Sequence, residues 1–258
     1  MTTKAEAVVI NDGAARVASL ASGSVRLVVT SPPFFDEGTE ELLRQTRSNQ
    51  KDVLGAQAQI LCFAESMQNV FSEIARVLHK DGNFVLHTKD IRFGDALIPL
   101  AAKHESIAND CGFYLATRIY WQPSDRPTRS GRNFKTAPHV GSFRAPEIET
   151  FAVLRLLGRS RHRGALAEEA FGESWLSEAL WRTPGETVYP RHPHASPPEV
   201  MRRLLSLYSV PGDLVLDPFC GGGGFLDVAR SMGRDAIGFE IDPRCAEMAR
   251  RRLTGGQS

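Results

Sequence analysis

One stretch near the end of the chain, LVLDPFCGGGGFLDVARSMGRDAIGFEID over residues 214–242, restricts the fold more than any other. Three apolar residues deliver Asp217, four glycines follow at 221–224, and an amphipathic run leads into a second apolar run that ends in Glu240. The pattern is strand, tight turn, helix, strand, which commits this part of the chain to an α/β arrangement with a parallel sheet. Glycines in such a turn accept positive φ and let the backbone come close to a ligand.

The rest of the chain continues that rhythm. Residues 7–10 form a short apolar run ending in Asn11-Asp12-Gly13, and residues 26–30 (RLVVT) form a second run, stopped by Ser31-Pro32-Pro33. Apolar residues on consecutive positions suit a strand buried on both faces. Residues 14–20 have room for a short helix between them. Residues 36–60 are polar and patternless and predict a mobile loop or lid. Apolar spacing of three and four over 60–78 predicts one helix, ended by Lys80-Asp81-Gly82, with a strand at 84–87. A helix over 99–111 closed by Gly112, and a strand over 114–121, come next. From 122 to 190 the rhythm is lost, apart from a strand over 151–157 (FAVLRLL). It returns with helix 196–208, strand 214–216, helix 225–232, strand 236–240 and helix 244–253. Strands alternating with helices imply a parallel sheet wrapped on both faces.

The acidic residue ahead of the glycines shapes the chemistry. A dinucleotide site would set a pyrophosphate on such a turn, but Asp217 repels phosphate and favours an ammonium-bearing ligand. Glu240, at the end of the next strand, is placed for ribose hydroxyls. A cationic nucleoside without phosphate describes S-adenosyl-L-methionine; a glycine-rich turn with no ligand is the plainer alternative. At the other strand end, prolines fix the backbone and remove N–H donors while leaving carbonyls to accept. Ser31 and the Pro32 carbonyl would offer two acceptors to an amine, and Phe34 a face for a planar ring. The same residues also suit a rigid turn over two core phenylalanines, and Asp12 suits an ordinary Asx turn; these readings stand side by side here.

Taken together, Ser31-Pro32-Pro33-Phe34 and Asp217-Pro218-Phe219-Cys220-Gly221-Gly222-Gly223 resemble the catalytic and cofactor motifs of the amino-type (N4-cytosine/N6-adenine) DNA methyltransferases of restriction–modification systems. The catalytic motif comes first, which is the circularly permuted order of that family's β group, and the likeness spans roughly 1–121 and 187–253. Ser in the first motif position resembles the cytosine-N4 members. Gly224-Phe225 departs from the usual threonine after the glycines, and Phe34 from the commoner tyrosine. The resemblance implies a Rossmann-like α/β sheet with helices on both faces and S-adenosyl-L-methionine as cofactor. It also implies methyl transfer to the exocyclic amine of a DNA base, with N4 of cytosine favoured over N6 of adenine. It assigns Ser31, Pro32, Pro33 and Phe34 to catalysis, and Asp12, Thr30, Asp217, Pro218, Phe219, Gly221, Gly223 and Glu240 to the cofactor. N-methylation of RNA or of a small molecule on the same frame, and a catalytically dead DNA-binding relative, are the alternatives weighed.

The net charge of +1 over 258 residues gives no global case for nucleic acid, so local clustering must carry it. Between 118 and 163 stand Arg118, Arg126, Arg129, Arg132, Lys135, Arg144, Arg155, Arg159, Arg161 and Arg163 against Asp125, Glu147 and Glu149, ten minus three, or +7. With Trp121, Phe134, His139 and Phe143 interleaved, the segment predicts a DNA-contacting, target-reading insertion at 122–190 within a single domain over 1–258. Arg126, Arg129, Arg132, Lys135 and Arg144 are its candidate phosphate contacts; a solvated basic loop is the alternative. Its shortness predicts either simple specificity or a homodimer. Four scattered cysteines fit neither a zinc site nor a disulfide framework, and Lys89-Asp90 with His192/His194 lacks a third ligand, so no metal is expected. Without a signal peptide or an apolar span, a cytoplasmic protein is expected and no membrane partner.

Overall fold

The structure, a computed structural model, describes residues 5–32, 53–93, 96–123, 148–158, 173–183 and 196–255. Strands β1 (Ala7–Ile10) and β2 (Val25–Thr30) flank a 3-10 turn at Ala14–Ser19. Helices α1 (Val53–Glu65) and α2 (Gln68–Val77) lead into β3 (Leu78–Thr88), a small hairpin of β4 (Ile91–Phe93) and β5 (Ala96–Ile98), and α3 (Leu100–Asp110). Then follow β6 (Phe113–Pro123), β7 (Glu149–Leu156), a 3-10 turn at Ser174–Ser177 and β8 (Leu180–Thr183). The chain closes with α4 (Pro198–Tyr208), β9 (Leu214–Asp217), α5 (Gly224–Ser231), β10 (Asp235–Phe239) and α6 (Pro243–Leu253).

Eight strands form one sheet in the order β1-β10-β9-β2-β3-β7-β6-β8. The late strands β9 and β10 sit between the two earliest ones, so the permuted order of the motifs is also the permuted order of the sheet. From β1 to β3 every neighbour is parallel. The expected parallel sheet holds from β1 to β3 and gives way at β7, which is antiparallel to both β3 and β6. Strands β6 and β7 are consecutive in the chain and pair directly, Trp121 opposite Glu149, and an antiparallel pair needs no crossover helix. The run FAVLRLL is apolar on both faces in either direction, so the sequence carried no sign of its orientation.

Each strand of the centre sends alternate residues to two cores. On one face Val25, Val28, Phe84, Leu86 and Leu216 meet Val17, Phe71, Ile74, Val77 and Ile107 from the first 3-10 turn, α2 and α3. On the other, Leu27, Val29, Val85, Val215 and Ala236 meet Leu204, Leu205, Leu226, Ala229 and Ala246 from α4, α5 and α6. Both faces of β2 and β9 are therefore closed to water. Only the ends of the strands remain for chemistry.

Three local expectations change. The loop expected over 36–60 is helical from Val53 on, and residues 36–52 lie outside the described set. The single helix expected over 60–78 is two, broken at Ser66, whose hydroxyl and backbone N–H both donate to the Phe63 carbonyl (2.6 and 3.0 Å). The expected stop at Lys80-Asp81-Gly82 is a bulge within β3: Val25 pairs with Leu78, yet Leu27 already pairs with Asn83. The 3-10 turn at Ser174–Ser177, β8 and the small hairpin had no expected counterpart, being too short to show periodicity.

Candidate active site

Asp217 ends β9 at the carboxyl edge of the sheet and is buried. The Thr30 hydroxyl donates to its Oδ1 at 2.7 Å, and the Phe219 backbone N–H to the same oxygen at 3.1 Å. Burial pushes its carboxyl up to about 7; the two hydrogen bonds pull the other way, and the nearby Glu240 charge adds to the rise. A buried acid in this state, with both donors on one oxygen, is matched to a cationic group arriving at Oδ2.

The glycine turn is tied from both sides. The Cys220 N–H donates to the Phe239 carbonyl at 3.0 Å, and the Gly221 N–H donates to Glu240 Oε2 at 2.8 Å. Gly223 caps α5 with φ of +73°, and a Cβ there would stand 2.7 Å from the Ala249 Cβ. Only glycine meets both demands. Pro218 is buried, and the half-buried Phe219 ring packs against the core beneath the turn.

Glu240 is less free than its sequence position suggested. Besides Gly221, it accepts the Asp242 N–H at Oε1, 2.8 Å away. Each carboxylate oxygen keeps a further lone pair, so it can brace the loop and still receive ribose hydroxyls. Asp12 accepts the Gly13 N–H at 2.8 Å and pairs with Arg16 at 3.2 Å on the exposed rim. Asn11, beside it at the end of β1, donates through its amide to the carbonyls of Glu240 and Ile241 at 2.9 and 3.2 Å and so holds the ends of β1 and β10 together. Ile241 was missed as well. It is 76% exposed, with its Cδ1 3.8 Å from where a Cβ on Gly13 would stand, and offers an apolar plate next to an acid. The signal was there to find: a large apolar residue directly after an acidic strand end. A buried acid, a close-approach turn, a strand-end carboxylate and an apolar plate fit the ammonium, backbone, ribose and base of S-adenosyl-L-methionine.

The other predicted cluster is partly described. Ser31 is half-buried and Pro32 buried, directly after Thr30 at the end of β2, while Pro33 and Phe34 lie outside the described residues. Thr30 therefore joins the two places, bonded to Asp217 and adjacent to Ser31.

The basic segment is described only in part. Arg118 lies on β6 and grips Glu105 through two bonds of 2.9 and 2.6 Å, which raise its pKa further. Arg155 on β7 donates to Asn83 at 2.9 Å. Trp121 is buried, its N–H bonded to the Thr183 hydroxyl at 2.9 Å. Trp121 ties β6 to β8, Arg155 ties β7 to β3, and the exposed Arg118 ties β6 to α3. Arg126, Arg129, Arg132, Lys135, Arg144, Arg159, Arg161 and Arg163, and also Phe134, His139 and Phe143, lie outside the described residues. Lys89 faces Glu149 and Asp90 accepts the Ala101 N–H, while His192 and His194 are outside the described set. Among the described residues, no group of three His, Cys, Asp or Glu side chains could hold a metal ion, and no helix is long and apolar enough to cross a membrane.

Comparison with known proteins adds the family. A family model described as DNA methylase, for N6 and N4 methyltransferases, matches residues 25–251. The type II methyltransferase M.XycI of Xanthomonas campestris pv. cyanopsidis is 26% identical, over 93% of this chain and 84% of its own. M.MthZI of Methanothermobacter thermautotrophicus, also a type II methyltransferase, is 26% identical over 89% of this chain and 71% of its own. Among solved structures, a DNA modification methylase of Thermus thermophilus, complexed with S-adenosyl-L-methionine, superposes with a TM-score of 0.72. It is 27% identical, and the match covers 97% of this chain and 95% of that one. The cytosine-N4-specific PvuII DNA methyltransferase shares the fold, with a TM-score of 0.70 at 18% identity over 98% and 94% of the two chains.

Proposed function

Since the chain belongs to the DNA methylase family of N6 and N4 methyltransferases, we propose that it methylates N4 of cytosine within a short DNA site, using the S-adenosyl-L-methionine on which that family depends. The observation that carries the choice of base is Ser31, a neutral hydroxyl directly before the buried Pro32 and joined through Thr30 to the buried Asp217. Ser in that place resembles the cytosine-N4 members of the family.

When bound, the cofactor would supply an electrophilic methyl group, its methyl–sulfur bond breaking as the new N–C bond forms and leaving a neutral thioether. Asp217 would hold its ammonium, Glu240 its ribose, and Asp12 its adenine amine beside Ile241. Pro218, Phe219, Gly221 and Gly223 shape the backbone around it, and Thr30 orients Asp217. A base amine is a poor nucleophile because its lone pair is delocalised into the ring. The Ser31 hydroxyl and the Pro32 carbonyl accept its two hydrogens, turning the lone pair out of the ring plane. Pro33 keeps the turn rigid and Phe34 stacks on the extruded ring. The nitrogen gains positive charge as it takes the methyl, and the proton it then sheds is acidic enough for water to accept. Positioning within about 3–3.5 Å supplies much of the remaining acceleration.

The whole of 1–258 is one domain on this view. Strands β7 and β8 belong to the main sheet, so target reading falls to the stretches around them within 122–190. Arg126, Arg129, Arg132, Lys135 and Arg144 contact phosphates there.

The test is nucleoside mass spectrometry of unmethylated DNA digested after incubation with labelled cofactor. N4-methylcytosine is expected. N6-methyladenine would replace the base in this proposal, and cofactor binding with no DNA product would overturn it in favour of RNA or a small amine.

A further inference from the structure

Next to the proposed amine-binding turn lies a buried pair of titratable side chains that the methyl transfer described above does not use. Strand β3 runs through buried Phe84, Val85 and Leu86 and then reaches His87, only 3% exposed. Thr30 pairs with Leu86, so Ser31 and His87 are the next residues of two neighbouring strands. By alternation both fall on the face that carries Val29 and Val85.

The imidazole is held on three sides. Its Nε2 lies 2.6 Å from Glu149 Oε2, where β7 begins. Its ring stacks on Phe151, centroids 4.4 Å apart and planes 15° from parallel. The Ser196 hydroxyl, in the segment that enters α4, lies 3.4 Å from Nδ1. Lys89 Nζ stands 3.6 Å from the other Glu149 oxygen. Three segments remote in sequence thus meet one residue from Ser31.

Stability alone does not account for this cluster. A buried ionic or strongly polar pair adds little over a well-packed apolar one. The same strand end holds a contrasting histidine. His104 hydrogen-bonds the Thr88 hydroxyl at 3.1 Å, its Nε2 has no partner among the described residues, and burial pushes it down to about 4, so it sits neutral in the core. His87 instead has a carboxylate on one nitrogen, the arrangement that fixes the orientation of an imidazole.

We propose that His87, held by Glu149, is a positioning residue for methyl transfer. It locks the end of β3 and the Ser196 segment against Ser31-Pro32, so that the two acceptors meet the target amine in one geometry. The proposal rests on the amine reading of Ser31 and Pro32 given above. A misplacement of about 1 Å at a reacting group can cost about 10²-fold in rate.

The experiment measures single-turnover methyl transfer, DNA KM, cofactor affinity and melting temperature for wild type, His87→Leu and His87→Gln. His87→Leu is expected to lower the melting temperature, because Glu149 loses its buried partner. At a temperature where it stays folded, it is expected to keep its cofactor affinity while its rate at saturating DNA falls about 10- to 100-fold, more than KM changes. His87→Gln, which retains a donor for Glu149, is expected to recover most of that rate. A His87→Leu rate within about twofold of wild type would overturn the proposal. So would loss of rate and melting temperature together, without recovery in His87→Gln. The product made by wild type alone decides the base, so that reading can fail while the ratio between variant and wild type still decides this one.

Discussion

The carboxyl edge of the sheet has two halves that are built differently. The half proposed to hold the cofactor draws mostly on residues 214–242, with ties short in sequence: Phe219 to Asp217, Gly223 to Cys220, Gly221 to Glu240. It is joined to β1 through the Asn11 amide on the Glu240 and Ile241 carbonyls. The half proposed to hold the target base joins β2, β3, β7 and the segment entering α4, with ties such as His87 to Glu149 and Ser196 to His87, separated by 62 and 109 positions. A contiguous half can be preformed by its own turn. A composite half depends on the sheet having closed correctly. Thr30 is the seam, bonded to Asp217 on one side and continuous with Ser31 on the other. The two halves should therefore fail separately.

Asp217→Asn should break the cofactor half most severely. Removing the buried charge offered to the ammonium is expected to weaken cofactor binding about 100-fold or more by calorimetry. The pH dependence follows from the carboxyl being pushed up to about 7. Below that value, binding a cation must expel a proton, so affinity rises up to about tenfold per pH unit and levels off above about 7. In the empty protein the sign is opposite. The folded chain holds an extra proton between the ordinary value of 3.8 and about 7, so this stability is full below the lower value and is lost as pH rises through the upper one. Asn should flatten both profiles.

Gly223→Ala comes next. A Cβ 2.7 Å from the Ala249 Cβ, on a residue with φ of +73°, is expected to cost about 2–3 kcal/mol by chemical denaturation, with the cofactor turn displaced. Glu240→Gln keeps the shape but weakens the brace on Gly221 and the ribose acceptor, for about a tenfold loss of cofactor affinity.

The smallest effect sharpens the contrast from the other side. All three tryptophans of the chain, Trp121, Trp175 and Trp181, lie buried at the β6–β8 edge, with the Arg203 guanidinium 5.1 Å from the Trp175 ring and 5.5 Å from that of Trp181. Intrinsic fluorescence should stay nearly constant on cofactor titration. A large change would mean that the halves are coupled through the sheet.

The same division explains what could be seen from the sequence. Asp217, the glycines and Glu240 announce themselves because strand, turn and helix follow within one short stretch, and β1, β2, α3 and α6 have clean patterns bounded by Gly, Pro or Asp. The partners of β7 could not be seen, since an apolar run does not say which strands it will lie between. Composition points Arg118, Arg155 and Trp121 towards a DNA surface, and pairing gives them Glu105, Asn83 and Thr183 instead. The break at Ser66 depends on one hydroxyl capturing one carbonyl, which periodicity does not register.

Ser31→Ala assayed in parallel for cofactor binding and for methyl transfer to DNA tests the separation of the two halves most directly. Cofactor affinity within about twofold of wild type, together with transfer slowed about 100-fold, is the predicted result. Transfer at the wild-type rate, or a loss confined to cofactor binding, would contradict the assignment of the β2 end to the amine.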